Sequence, residues 1–332
     1  MIRLFLCSII TAFTIVGGVV GAGFITGKEI YVFFASDFSL SGIYLTFVCF
    51  TLSIYLIMFF KFKKVGAYSI GLFIMISNVI IAGCMFSAIL ELYARVFHQI
   101  KNIKILAIIT AIFVFIVSAK GMGAMEKFSL FLIPVVIVSI VVLSLKTIDD
   151  KVIILTPKRF NGVFNPVIYV GFNIILCFSV IKNSGEKLSP PFKFISSLLS
   201  AIILCLLIFL ISLSVHSAPK TQKMPFAELF IHDVKLSIIV DIITLFAILT
   251  TYSSALYSSY GFCDFKLKIK GKILVFLTSL FISNLGFSKI VESIYPLIGS
   301  LGFALLIFTC LLSKIFQPKQ RERTLRPLKC RE

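Results

Sequence analysis

Gly17-Gly18-Val19-Val20-Gly21-Ala22-Gly23-Phe24-Ile25-Thr26-Gly27-Lys28-Glu29 places five glycines inside the first long apolar run and two charges directly behind them. Glycine is common in membrane helices, where it lets backbones approach closely, so a single Gly-x-x-x-Gly would say little. Five glycines within eleven residues, next to Lys28 and Glu29, predict a helix interrupted near Gly21-Ala22-Gly23. Broken backbone at membrane depth is tolerated only where it lines a cavity or is enclosed by protein. The freed amides would then face an anionic group and the freed carbonyls a cation.

The rest of the chain is built to surround such a segment. Of 332 residues, 59% are hydrophobic and 14% charged, with a mean hydropathy of +1.08, which excludes a soluble globular domain. At about 20 apolar residues per crossing of a ~30 Å hydrocarbon core, this suffices for about ten spans. Apolar runs bounded by charge, proline and polar clusters predict helices near 4–35, 41–60, 67–94, 105–119, 128–146, 163–182, 194–215, 236–262, 273–287 and 290–313. The fold class is therefore an all-α polytopic membrane protein.

The 32 Lys+Arg outnumber the 14 Asp+Glu, for a net charge of +18, yet the cations lie in the gaps between apolar runs. Loop anchoring accounts for them, and no nucleic-acid partner is called for. With the amino terminus inside, 20 of these cations fall on the cytoplasmic side and 11 on the other, so the positive-inside bias puts both termini in the cytoplasm. Absence of Trp with abundant Ile, Phe and Lys fits an AT-rich bacterial genome, hence a bacterial cytoplasmic membrane. The amino-terminal run imitates a signal peptide but continues past Gly23 without a cleavage site.

Enzymatic chemistry finds no foothold. The eight cysteines form no CxxC pair, and His98, His216 and His232 lack metal-ligand spacing, so no metal is expected beyond a possible sodium ion. No His-Glu-x-x-His, Gly-x-Ser-x-Gly or nucleotide-binding P-loop is present. The expectation is a protein that is not an enzyme and carries no cofactor.

A second break is expected halfway along, at Ile168-Tyr169-Val170-Gly171-Phe172-Asn173. Its centre lies about 149 residues after Ala22, and Glu91 and Asp241 are likewise 150 apart, on helices crossing in opposite senses. A five-plus-five inverted repeat produces this arrangement. It divides the chain into a first five-helix repeat at 1–146, an outer connecting loop at 147–162, a second repeat at 163–313 and a basic cytoplasmic tail at 314–332. The segment from His216 to Lys235 reads as a short amphipathic turn lying as a lid over an outer vestibule.

Gly21-Ala22-Gly23-Phe24-Ile25-Thr26-Gly27-Lys28-Glu29-Ile30, with Phe33-Phe34 following, resembles the first-helix signature of the YkvI-like membrane proteins, a bacterial group placed among amino-acid permeases. Gly171-Phe172-Asn173 is similar to the Gly-Phe-Glu element of the wider amino acid-polyamine-organocation permeases. The resemblance implies the leucine-transporter fold, with ten core helices, the first and sixth unwound, substrate at the midplane and alternating access. Lys28 stands where that signature usually has Gln, so no role carries over to position 28.

On this reading the amides around Gly21, Ala22 and Gly23 hold a substrate carboxylate and Gly171 supplies carbonyls for an ammonium. Phe24, Tyr169, Phe172 and Asn173 line the pocket, although with 36 Phe in the chain packing alone is a competing account of Phe24 and Phe172. In sodium-coupled members of the fold a helix-eight hydroxyl pair completes an ion site. Here Thr251 and Ser254 would do so with the carbonyls of Gly17 and Val20. Proton coupling through Glu29, Glu91 or Asp241 is the alternative. An outer gate is expected in which Lys28 reaches Glu91 or Asp241, and Glu29 reaches Arg95 or a helix amino end; the competing account has these charges snorkelling to water. The function expected is a secondary active transporter of amino acids or similar small zwitterions, its partners a small-molecule substrate and the lipid bilayer. The alternative is a non-transporting amino-acid sensor related to germinant receptor subunits.

Overall fold

The computed structural model describes residues 2–34, 40–59, 64–97, 102–147, 164–215, 224–263 and 268–304. Among the described residues every element is helical and none is a strand. The first apolar run forms three pieces, Ile2–Val19 (α1), the single turn Ala22–Ile25 (α2) and Lys28–Phe34 (α3). Leu40–Met58 (α4), Lys64–Val96 (α5), Ile103–Ala119 (α6) and Met122–Thr147 (α7) follow. Phe164–Gly185 (α8), Pro190–Val215 (α9), the short Pro225–Glu228 (α10), Val234–Cys263 (α11) and Lys268–Ile282 (α12) come next. The last, Phe287–Ala304 (α13), passes through a π turn over Ile290–Ile294.

Outside the interruptions at Val20-Gly21, Thr26-Gly27 and Gly286, the expected apolar runs are helical over nearly all of their described residues. Six helices are long and apolar enough to cross a bilayer: α4, Ile70–Val96 of α5, α7, α8, α9 and Val234–Gly261 of α11. The others fall short for identifiable reasons. The first run is cut by its glycines, and the 17 residues of α6 extend only about 26 Å. Ile269–Leu285 and α13 meet at a bend of 94° at Gly286, whose φ of +84° is cheap only for glycine. By length and composition that bent pair can be a single broken span.

Exposed apolar side chains mark a lipid-facing surface. On α6 Ile105, Ile109, Ile112 and Ile116 are exposed, whereas Ala107, Ala111, Val114 and Ser118 are buried. One face of small residues therefore packs into the bundle and the other presents isoleucine outward, the pattern of a membrane helix. Such a continuous apolar surface is not sustained in water. The chain is a multi-pass membrane protein.

Packing places the first run at the centre. It lies against α7, α8 and α9, while α4 packs on α8 and α9, α5 on α11 and α12, and α11 on α6, α7 and α8. The expected second break is corrected here: α8 runs unbroken through Gly171-Phe172-Asn173. Asn173 Nδ2 donates to the Tyr169 carbonyl at 3.0 Å within the helix. Gly171 serves packing instead of unwinding. A Cβ there would collide with the Gly299 carbonyl oxygen and lie 2.9 Å from Phe303 Cβ, and a Cβ on Gly299 would collide with the Ile168 carbonyl. The glycine is needed because α8 and α13 touch backbone to backbone. Apart from Thr147, the connecting loop at 147–162 lies outside the described residues, as does the tail at 314–332.

Candidate functional site

The first helix stops because Gly21 adopts an extended backbone, φ −105° and ψ −166°. Val20 N–H still donates to Val16 O at 2.8 Å, but Gly21 N–H turns to Val19 O at 2.9 Å. A continued helix would have filled the carbonyls of Gly17 and Gly18 from residues 21 and 22. Thr251 Oγ1 of α11 takes their place, 3.3 Å from Gly17 O and 3.1 Å from Gly18 O. The close approach requires Gly21, where a Cβ would sit 2.9 Å from Thr251 Oγ1. Ser254 Oγ lies just below, so near Gly18 that a Cβ there would be 2.8 Å from it. It is buried beside Cys177 Sγ with no oxygen or nitrogen partner.

The structure thus brings Thr251, Ser254 and Gly17 together, with Gly18 accepting the second contact expected of Val20. The Val20 side chain is fully buried in the core. This donor set is all hard oxygen, the type that suits a sodium ion.

A second interruption follows at Thr26 and Gly27, the latter at φ +75°. Thr26 O accepts a hydrogen bond from Phe226 N–H of α10 at 2.8 Å. Phe226 is fully buried, and a Cβ on Gly27 would meet Phe226 Cβ at 3.0 Å and Val215 Cγ1 at 2.9 Å. Met224-Pro225-Phe226-Ala227 therefore seats directly on the second break. Residues 216–223, the rest of the expected lid apart from the stretch after Ala227, lie outside the described residues.

Glu29, two residues past the second break, reaches back into the turn between the two. Its side chain folds back onto Gly23, where a Cβ would collide with Oε1 and lie 2.5 Å from Cγ and 2.6 Å from Cδ. Ala22, Phe24, Tyr169 and Asn173 are fully buried and Phe172 nearly so. The Tyr169 ring stands among Phe33, Phe34 and Phe50, with centroids 5.3, 5.2 and 6.2 Å away. Phe172 stacks on Tyr295 of α13 at 4.0 Å.

Two charge pairs stand here that the expected gate did not include. Lys28 Nζ lies 2.7 Å from Glu292 Oε1 on the π turn of α13. Arg95 Nε is 3.6 Å from Asp241 Oδ1, and its Nη2 donates to Ser237 Oγ at 3.2 Å and to Ala227 O of α10 at 3.4 Å. Arg95 is thus held by α11 and α10, while Glu29 turns inward to Gly23. Glu91 is half-buried one helical turn before Arg95. Glu292 and Tyr295 are the residues that sequence reasoning missed. The signal for Glu292 was available, since it is the single charge within the apolar run 290–313.

No protein-family model matches this chain, and no curated protein matches it.

Proposed function

We propose that this protein is a secondary active transporter of amino acids or similar small zwitterions, working by alternating access under a sodium or proton gradient. The observation that carries this reading is the twice-interrupted first helix. Its breaks lie wholly inside the bundle, with loosened carbonyls facing a hydroxyl of α11 and a buried carboxylate between them. A polar, irregular backbone in the middle of an apolar bundle is costly unless a ligand or ion uses it.

The order of packing supports the repeat on which alternating access depends. Counting α1–α3 as the first segment, α4–α9 as the second to seventh and α11–α13 as the eighth to tenth, several of the contacts map onto one another on a shift of five. First on seventh corresponds to sixth on second, third on ninth to eighth on fourth, and first on eighth to sixth on third. The pairs first–sixth, second–seventh and third–eighth map onto themselves and are all in contact. This favours ten crossings in two five-helix halves. The resemblance of Gly21 to Ile30 to the YkvI-like first helix points the same way.

For coupling, the carbonyls of Gly17 and Gly18 with the hydroxyls of Thr251 and Ser254 would hold a sodium ion. The fit rests on the unpartnered Ser254 Oγ, a buried oxygen that a cation would satisfy.

The test is uptake of a pooled labelled amino-acid mixture by the reconstituted protein under separate sodium and proton gradients. Flux that follows one gradient and vanishes in Gly23→Leu is the expected result. Saturable binding of amino acids with no flux under either gradient would replace transport by sensing.

A further inference from the structure

The break in the first helix holds the chain's own carboxylate, and this bears on what else can enter it. Glu29 is 2% exposed and its Oε2 has no hydrogen-bond partner. Among the described residues no Lys, Arg or His forms an ion pair with it, Lys28 being engaged by Glu292 and Arg95 by Asp241. A buried charge without a counter-ion is strongly unfavourable in a membrane interior and marks a functional position.

The surroundings share one chemical bias. The hydroxyls of Tyr169 and Tyr295 lie within electrostatic range of Glu29, and neither has an oxygen or nitrogen partner. Asn173 Oδ1 is unpartnered too, its amide nitrogen being committed to the Tyr169 carbonyl. Every buried side-chain polar atom that lacks a partner among the described residues is an oxygen, and none is a nitrogen. Glu29 Oε2 and Asn173 Oδ1 can only accept, and the two tyrosine hydroxyls can accept as well as donate, so the cluster has room for donors. An ammonium group brings three of them and a positive charge, and the stacked faces of Phe172 and Tyr295 favour a cation. A carboxylate could take the two tyrosine hydroxyls but would be repelled by Glu29.

We infer that the first-helix break binds the ammonium group of an organic amine, with Glu29 as its counter-ion and Tyr169, Tyr295 and Asn173 as further acceptors. A carboxylate on the same molecule lies away from Gly21-Ala22-Gly23. This rests on the transporter reading for its location and reverses the polarity that the glycine-rich sequence suggests.

Full-length protein in lipid nanodiscs tests it by thermal unfolding with three probes of equal chain length: butylamine, butanoate and 2-aminobutanoate. Both amines raise the unfolding midpoint of the wild type and butanoate does not. Glu29→Gln weakens butylamine binding by about tenfold or more, the expected effect of losing a charge-assisted hydrogen bond. Tyr295→Phe removes a hydroxyl whose one neighbour for hydrogen bonding is the weak Cys84 thiol, so it changes the midpoint without ligand little and lowers butylamine affinity several-fold; it stands in should Glu29→Gln not fold. Stabilisation by butanoate, no stabilisation by either amine, or undiminished butylamine binding in both variants overturns the inference. Uptake of labelled 2-aminobutanoate separates the two readings. Glu29-dependent binding without flux removes transport and keeps the ammonium site, whereas flux unaffected by Glu29→Gln does the reverse.

Discussion

Replacing Gly23 by alanine asks whether that glycine exists to seat Glu29. The Gly23 φ is not positive and the residue lies in the α2 turn, so alanine by itself favours the turn by about 0.5–1 kcal/mol. Against this, the new methyl falls on Glu29 Oε1 and lies 2.5 Å from Cγ and 2.6 Å from Cδ. Overpacking an ordered interior costs about 1–3 kcal/mol. The single variant is therefore destabilised by about 0–2.5 kcal/mol. In a Glu29→Ala background the atoms that the methyl meets are gone, and the same change stabilises by about 0.5–1 kcal/mol. The effect changes sign, with a coupling of about 1–3 kcal/mol between the two positions. The chain has no tryptophan, so unfolding of the four proteins in detergent is followed with a thiol-reactive fluorophore that reports exposure of the buried Cys84 and Cys177. An equal shift in both backgrounds would refute the reasoning, because Gly23 would then be needed for backbone reasons alone.

Thr251→Val keeps the shape but withdraws the hydroxyl from the Gly17 and Gly18 carbonyls, which costs about 1–3 kcal/mol for buried acceptors left unpaired; Thr251→Ser retains most of the stability, and equal melting of the two variants would contradict this. Gly171→Ala and Gly299→Ala each force α8 and α13 apart and lower the unfolding midpoint, an effect of about 1–3 kcal/mol, whereas Gly123→Ala, which meets nothing within 4 Å, leaves it in place. Lys28→Met and Glu292→Gln impair uptake to similar degrees and the double variant adds little, since both remove one contact; additive losses would show that the two act separately. Arg95→Gln releases the Ala227 carbonyl and makes the α10 turn more open to proteolysis, and cleavage at the wild-type rate would exclude Arg95 as its anchor.

How far the sequence could be read follows from the kind of interaction involved. Helix positions depend on where apolar runs start and stop, which is local information, and the described helices follow it closely. The interruption at Gly21 was legible because glycine density is also local. Pairings were not. Whether Arg95 meets Glu29 or Asp241 depends on how α5, α10 and α11 stack, and two acids in apolar runs look alike in sequence. Glu292 carried a local signal too, because an acid inside an apolar run has the same meaning wherever it occurs, but its pairing with Lys28 joins elements 264 residues apart. The direction of Glu29 was beyond sequence altogether. It turns back six residues to Gly23 across a positive φ at Gly27, and nothing in the spacing of the two residues specifies that turn.

The failure of the second break has a physical cause that clarifies the first. A helix yields where continuing it is costly and where stopping it satisfies the released groups. The first run meets both conditions: glycines cheapen the extended Gly21 and the left-handed Gly27, Thr251 Oγ1 receives two loosened carbonyls and Phe226 N–H a third. Around Gly171 neither condition holds. One glycine stands alone among Tyr169, Val170, Phe172 and Asn173, and the Asn173 amide donates to the helix's own carbonyl. Its missing side chain is already used to admit the α13 backbone. The break expected at Gly171 is thus absent, and the loosened polar backbone beside Thr251 and Glu29 belongs to the first run. An ion or substrate site built on this frame must draw its freed backbone groups from the first helix, and from α8 only side chains: Tyr169, Phe172 and Asn173.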